Sequence, residues 1–371
     1  MRKRNRKPFR QFIMKSGIMH GGSRAVVVGW VLAAVLMTTG CGSMSGGTGN
    51  GKSSENGNVP GNTSVSAKTT GKLKDYSVQN FFFDTVISVK ITAGDNADEL
   101  LQHCMDMCRE YEQIFSRTDE NSELYKVNHR TTNTVEVSEK LAFLISEGQK
   151  VHELSGGKFD ITVAPLSDLW DFKSEDAVVP DQDKIREAQE KVDASSVHLD
   201  GTTLTFDRSD TMIDLGAIVK GYAADELAAY LKGEGVTSGL INLGGNVLTI
   251  GSKPDGSNWK IGIQKPFAGG ELIDTVEVSG KTVVSSGVYE RYFKQDGVIY
   301  HHILDPDTGY PVQDGIWGVS IICDSSLLGD ELSTTCLAVG EEKAAEIIES
   351  MEGVEAIFVD DQLQVTTVGG G

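Results

Sequence analysis

The segment Asp214-Leu-Gly-Ala-Ile-Val-Lys-Gly-Tyr-Ala-Ala-Asp225, with its continuation to Asn246, changes its apolar period twice. A run ending near Leu215 reads as a strand, and Val219 to about Leu231 spaces its apolar residues as a helix does. Gly239-Leu-Ile-Asn-Leu243 then reads as a second strand, cut off by Gly244-Gly245-Asn246. No Gly-x-Gly-x-x-Gly opens the helix between them, so the dinucleotide-binding fingerprint of doubly wound folds is absent.

Working outward, the same mixture recurs. Phe81-Phe-Phe-Asp-Thr-Val-Ile-Ser-Val-Lys-Ile91 alternates as a strand, a helix follows from about Ala97 to Phe115, and Ser138 N-caps another that ends at Ser155-Gly156-Gly157. Asp181 to Val192 is charged and helical, and Val197–Phe206 is a hairpin turning at Asp200-Gly201. Short alternating strands such as Trp259–Gln264 and Gly318–Ile322 dominate the remainder, interrupted by helices at Asp330–Val339 and Glu341–Met351. The fold class is α+β, one large domain of mixed sheets and helices over residues 74–371.

The chain ahead of that domain is different in kind. Residues 1–40 carry eight basic side chains and no acidic one, so the rest is eight units more negative than the −19 of the whole. A body that acidic repels nucleic acid, and no basic groove interleaved with aromatics is present, which excludes a nucleic-acid partner. The apolar run Ala25–Met37 is shorter than the roughly 20 residues a spanning helix needs. It leads into Thr38-Thr39-Gly40-Cys41, which resembles a bacterial lipobox with Thr at the place usually held by Leu. The expectation is a signal peptide over 1–40, a lipidated (palmitate-bearing) Cys41, and a Gly/Ser/Asn/Thr tether over 41–73. That puts the domain at the cell membrane, lipid-anchored on the extracytoplasmic face. Cys104 and Cys108 share the apolar face of their helix with Leu101, Tyr111 and Phe115, so they read as buried thiols and not as metal ligands.

Polar, Gly-rich clusters stand at the ends of apolar runs: Asp214–Gly221, Asn242–Asn246, Ser285–Tyr292, His302–Gly309 and Asp330–Thr334. Each alone is adequate turn chemistry. Together they supply hard oxygen ligands and close-approaching backbone, the combination that Mg²⁺ and phosphates use.

Read in order, Phe83-Asp-Thr85, Phe115–Leu124 with Asn128, Ser155–Leu166 with Leu169-Trp170, Asp214–Asp225, Asn242–Asn246, Ser285-Ser-Gly287, His302–Gly309 and Asp330–Thr334 resemble the FAD:protein FMN transferases, the ApbE family. The resemblance implies a Mg²⁺-dependent enzyme that splits FAD and joins FMN by a phosphoester to a Thr or Ser of another protein, releasing AMP. It implies metal ligation by the Ala217 carbonyl, Asp330 and Thr334, and a flavin nucleotide along Phe83, Thr118, Lys158, Phe159, Asp160, Asp214, Lys220 and Leu304. Phe83, Asp84 and Thr118 depart from the commoner family residues. His302 is the candidate general base or proton relay, with Asp305 orienting it or sharing the role. The chain holds no Ser-Gly-Ala or Thr-Gly-Ala of the acceptor type, so it is expected to act in trans on exported or membrane redox flavoproteins. Two alternatives remain at this level: an FAD pyrophosphatase with water as acceptor, and a flavin-binding lipoprotein without catalysis.

Overall fold

The computed structural model describes residues 72–370, together with the backbone pair Val27–Val28 that lies antiparallel to Tyr292 and Arg291. Cys41, the expected tether up to residue 71 and, that pair aside, the expected signal segment lie outside the described residues. An eight-stranded antiparallel sheet organises the rest. Its order is Val365–Gly369, Glu355–Asp360, Ile316–Cys323, Thr282–Gly287, Asn246–Ile250, Gly239–Leu243, Thr85–Ala93 and, at the far edge, Lys74–Phe82.

The alternation in Thr85–Ala93 determines the layering. Ile87, Val89 and Ile91 are fully buried on one face, where the Ala97–Phe115 and Val219–Gly233 helices pack. In the Ala97–Phe115 helix, Leu100, Leu101, Cys104, Cys108, Tyr111 and Phe115 form the inward stripe. Cys104 and Cys108 are free and buried there, their thiols pushed up to about 12 by burial. The opposite face is covered in part by a hairpin, Trp259–Gln264 with Leu272–Val278, packed on Leu240, Val247, Val283, Ile322 and Ile357.

Two expectations about elements are corrected. The run ending near Leu215 is not a strand: the side chain of Asn128 donates to the Ile213 carbonyl at 2.8 Å and accepts from its N–H at 2.7 Å. One amide thus takes the place of a ladder partner. The helix expected to begin at Asp330 begins at Ser326, because Ser325 caps it and Asp225 accepts from the N–H groups of Ser326 (2.8 Å) and Leu327 (3.0 Å). Asp330 therefore sits in its second turn.

The Val219–Gly233 and Ser326–Val339 helices meet at their N-terminal ends. A Cβ on Gly221 would lie 2.3 Å from the Ser326 carbonyl oxygen and 2.7 Å from the Leu327 Cα, so only glycine permits this approach. Gly221→Ala is expected to destabilise by about 1–3 kcal/mol through overpacking, against the roughly 1 kcal/mol that alanine normally gains over glycine in a helix. Denaturant unfolding reads the sign directly.

Candidate active site

The helix junction forms one wall of a cavity of about 1310 Å³. Phe83, Thr118, Lys158, Phe159, Asp160, Asp214, Ala217, Lys220, His302, Leu304, Asp330 and Thr334 all line it. Those residues come from six separate stretches of chain, brought to one place by the sheet order and the helix contact.

Asp330 is the most enclosed of them. It is 3% exposed, accepts the Gly221 N–H at 2.6 Å and lies 3.8 Å from the Lys220 ammonium. Burial pushes its carboxyl up, while Lys220 and the Gly221 N–H pull it back down. In an unbroken helix Gly221 would donate to the carbonyl four residues earlier, that of Ala217. Here that N–H goes to Asp330 and not to the Ala217 carbonyl, and Ala217 and Thr334 both line the cavity. Among the described residues no three His, Cys, Asp or Glu side chains converge as a metal site. The oxygens at this corner are one carboxylate, one hydroxyl and one carbonyl, a hard donor set that suits Mg²⁺ with phosphate oxygens and water completing it.

The wall that carries Phe83, Asp160 and Asp214 is held by hydrogen bonds within the protein. Phe83 and Asp84 both take positive φ (53° and 59°) in the two-residue turn joining Phe82 to Thr85. The Glu112 carboxylate fixes that turn by accepting the Phe83 N–H at 3.0 Å, and Lys173 pairs with Asp84. Asp214 accepts the Gly216 N–H at 2.8 Å and pairs with Arg117 at 2.8 Å; Arg117 also reaches Asp168 at 2.6 Å. The carboxylate of Asp160 turns inward, accepting from the Thr162 N–H (2.7 Å) and hydroxyl (2.6 Å) and from the Ala194 N–H (3.3 Å). Asp160 therefore shapes the wall and presents little free charge to a ligand.

His302 and Asp305 depart from expectation. The His302 imidazole does not titrate near neutral pH; burial, with Arg291, His301 and Lys220 nearby, lowers it to about 3. Its Nδ1 is buried without a hydrogen-bond partner among the described residues. Asp305 does not line the cavity and does not orient His302. Its carboxylate accepts from the Lys158 ammonium (2.8 Å) and the Asp307 N–H (3.0 Å), because the Asp-Pro-Asp-Thr-Gly turn folds it toward Lys158.

Sequence reasoning passed over Arg117, Ser286, Glu290 and Arg291, which line the same cavity. Glu290 accepts the Gly287 N–H at 3.2 Å, and burial pushes its carboxyl up to about 7 against the pull of Lys220 and Arg291. The Ser285–Tyr292 cluster was visible as a motif; what was hidden is that the turn after Gly287 aims a carboxylate inward.

The His302 shift has a consequence for stability. Unfolded, the ring takes a proton below its ordinary value of 6.5; folded, it resists until about 3. Stability from this group is thus complete above 6.5 and falls as pH drops through that window. His302→Asn is expected to make the decline of unfolding free energy with acid shallower, by at most about 1.4 kcal/mol per pH unit. Urea titrations of both proteins between those limits give the slopes.

The ApbE family model matches residues 83–358. A FAD:protein FMN transferase from Klebsiella pneumoniae is 35% identical over 288 residues, covering 76% of this chain and 89% of its own. One from Treponema pallidum is 30% identical over 319 residues, covering 81% and 88%. An ApbE protein of known structure from Thermotoga maritima aligns with a TM-score of 0.73 at 32% identity, over 80% of this chain and 97% of its own.

Proposed function

The chain belongs to the ApbE family, and from that membership and the cavity we propose that it is a transferase that splits FAD and attaches FMN to a hydroxyl of another protein. What supports the reading is a single cavity lined by Asp330, Thr334, Ala217 and Lys220, with Asp330 tied to the start of the Val219–Gly233 helix through the Gly221 N–H. The helix dipole favours phosphate there, and Lys220 adds a fixed cation. Phe83, Phe159 and Leu304 offer the apolar surface that a flavin ring requires, and Lys158, Thr118 and Asp214 the polar groups around it.

The reaction is a phosphoryl-type displacement. The acceptor Ser or Thr oxygen bonds to the phosphorus of the FMN half, the bridging P–O bond breaks, and AMP leaves with the bond's electron pair. Ala217, Asp330 and Thr334 would hold Mg²⁺, which when bound supplies charge neutralisation on the pyrophosphate oxygens. Lys220 stabilises the leaving phosphate by its charge. His302 takes the hydroxyl proton at its unpartnered Nδ1. A pyrophosphate entering the cavity offsets Lys220 and Arg291 and so raises the basicity of that ring.

Mixing the full chain with FAD, Mg²⁺ and an exported redox flavoprotein domain is expected to add one FMN phosphoester mass to the domain and to release an equal amount of AMP. Asp330→Ala should abolish both. His302→Ala should slow transfer by roughly 10²–10⁴-fold, the usual contribution of a positioned base. AMP appearing with free FMN, and no mass gain on the protein, would mean water is the acceptor and the reading is wrong.

The lipobox-like stretch before Cys41 supports the further proposal that the enzyme is a lipoprotein, acylated at Cys41 and held on the extracytoplasmic face of the membrane, acting on neighbouring flavoproteins in trans. Among the described residues no helix is long and apolar enough to cross a membrane. On the lipoprotein proposal, Cys41→Ser is expected to move the protein from the membrane pellet to the soluble exported fraction on cell fractionation.

A further inference from the structure

One face of the eight-stranded sheet is only partly covered. The Trp259–Gln264/Leu272–Val278 hairpin packs over Leu240, and its cover stops there. Beyond it the last two strands present Ser77 opposite Lys90, Gln79 opposite Ser88, and Phe81 opposite Val86. All six line the catalytic cavity, with Trp259 and Leu240 as the side wall. Phe81 is 56% exposed and Val86 44%, an apolar pair standing next to the strained Phe83-Asp84 turn.

Among the described residues, the outer margin of this strip is the edge of the sheet. The two-residue turn pairs Phe82 with Thr85, so Phe82, Asn80, Val78 and Tyr76 direct their backbone groups inward to the neighbouring strand. Asp75, Ser77, Gln79 and Phe81 direct theirs outward. Among the described residues only the Phe81 N–H has a partner there, the Asn80 side chain at 2.8 Å. Charges that usually protect an exposed edge, Lys74 and Asp75, stand at the end away from the Phe83-Asp84 turn.

We propose that this strip is the docking site of the acceptor polypeptide, which adds an extended segment to the Lys74–Phe82 edge and delivers its hydroxyl past Phe81 and Val86 into the cavity. The inference rests on the transferase reading above. Two substrates must meet in one cavity, and its 1310 Å³ exceeds the roughly 300–1,000 Å³ of sites that hold one small ligand. The strip is continuous with that cavity and ends at the flavin-side turn. Strand addition grips main chain, which lets one enzyme accept different sequences, while alternate side chains of the guest meet Phe81/Val86 and Gln79/Ser88. The guest's chemistry follows: an extended segment with an apolar side chain over Phe81 and Val86, and Ser or Thr beyond it.

The test uses the full chain with FAD, Mg²⁺ and an acceptor domain already seen by mass to gain FMN from it. Gln79→Pro removes one outward N–H and no ladder bond; Phe81→Asp puts a charge in the apolar pair. Each is expected to raise the acceptor KM by at least about tenfold, the equivalent of one or two lost interface contacts. FAD affinity by flavin fluorescence should stay unchanged. Adding acceptor to the unaltered enzyme should slow amide exchange at Ser77 and Gln79. Wild-type acceptor KM in both variants would overturn the proposal while leaving the transferase reading intact, and so would a parallel loss of FAD affinity. Protection of the edge without acceptor would overturn it too, in favour of a second copy if it grows with enzyme concentration and of residues 1–71 if it does not. Failure of the unaltered enzyme to modify any acceptor would remove the transferase reading and this proposal with it.

Discussion

Two helices exchange carboxylates across a single glycine, and the cavity depends on that contact. Asp225, from the Val219–Gly233 helix, accepts the first N–H groups of the Ser326–Val339 helix; Asp330, from the latter, accepts the Gly221 N–H of the former. Each carboxylate satisfies backbone donors that a helix start leaves open and places negative charge at the positive end of the dipole. Gly221 allows the approach because any side chain there would overlap the Ser326 carbonyl. With the two helix starts fixed, Ala217 and Lys220 on one stretch and Asp330 and Thr334 on a distant one line the same cavity.

The same junction explains why Asp330 can be buried and still useful. An isolated carboxylate in so enclosed a place would hold its proton tightly. Lys220 and the Gly221 N–H partly offset that tendency. His302 is the converse case. Burial, with Arg291 and Lys220 nearby, keeps the ring neutral, and its Nδ1 has no hydrogen-bond partner among the described residues. Lys220 and Arg291 are cations of the cavity lining that an entering phosphate can meet.

Several walls are built from side chains that imitate backbone. Asn128 replaces a strand partner for Ile213, Asp214 closes a turn on Gly216, and Asp160 ties its own loop to Thr162 and Ala194. Asp214 stands in the same motif as Lys220, and Asp160 in the same motif as Lys158, yet much of their hydrogen-bonding capacity goes into holding shape. A motif therefore mixes groups that touch ligand with groups that hold the wall, and type alone does not separate them.

Much of this protein was legible in the chain itself. The apolar period of Ala97–Phe115, the Ser138 cap, the alternation of Thr85–Ala93 and the polar clusters at strand ends are local signals, because propensity, capping and pleat act over a few residues. What tertiary structure decided is where polar side chains point once packed. It turned Asp305 to Lys158 and away from His302, lowered the His302 ring out of the neutral range, started the Asp330 helix a turn early through Asp225, and aimed Glu290 inward. Each of these outcomes is set by partners tens to more than a hundred residues distant, or by removal of water when the sheet and helices close, and neither leaves a mark on local sequence.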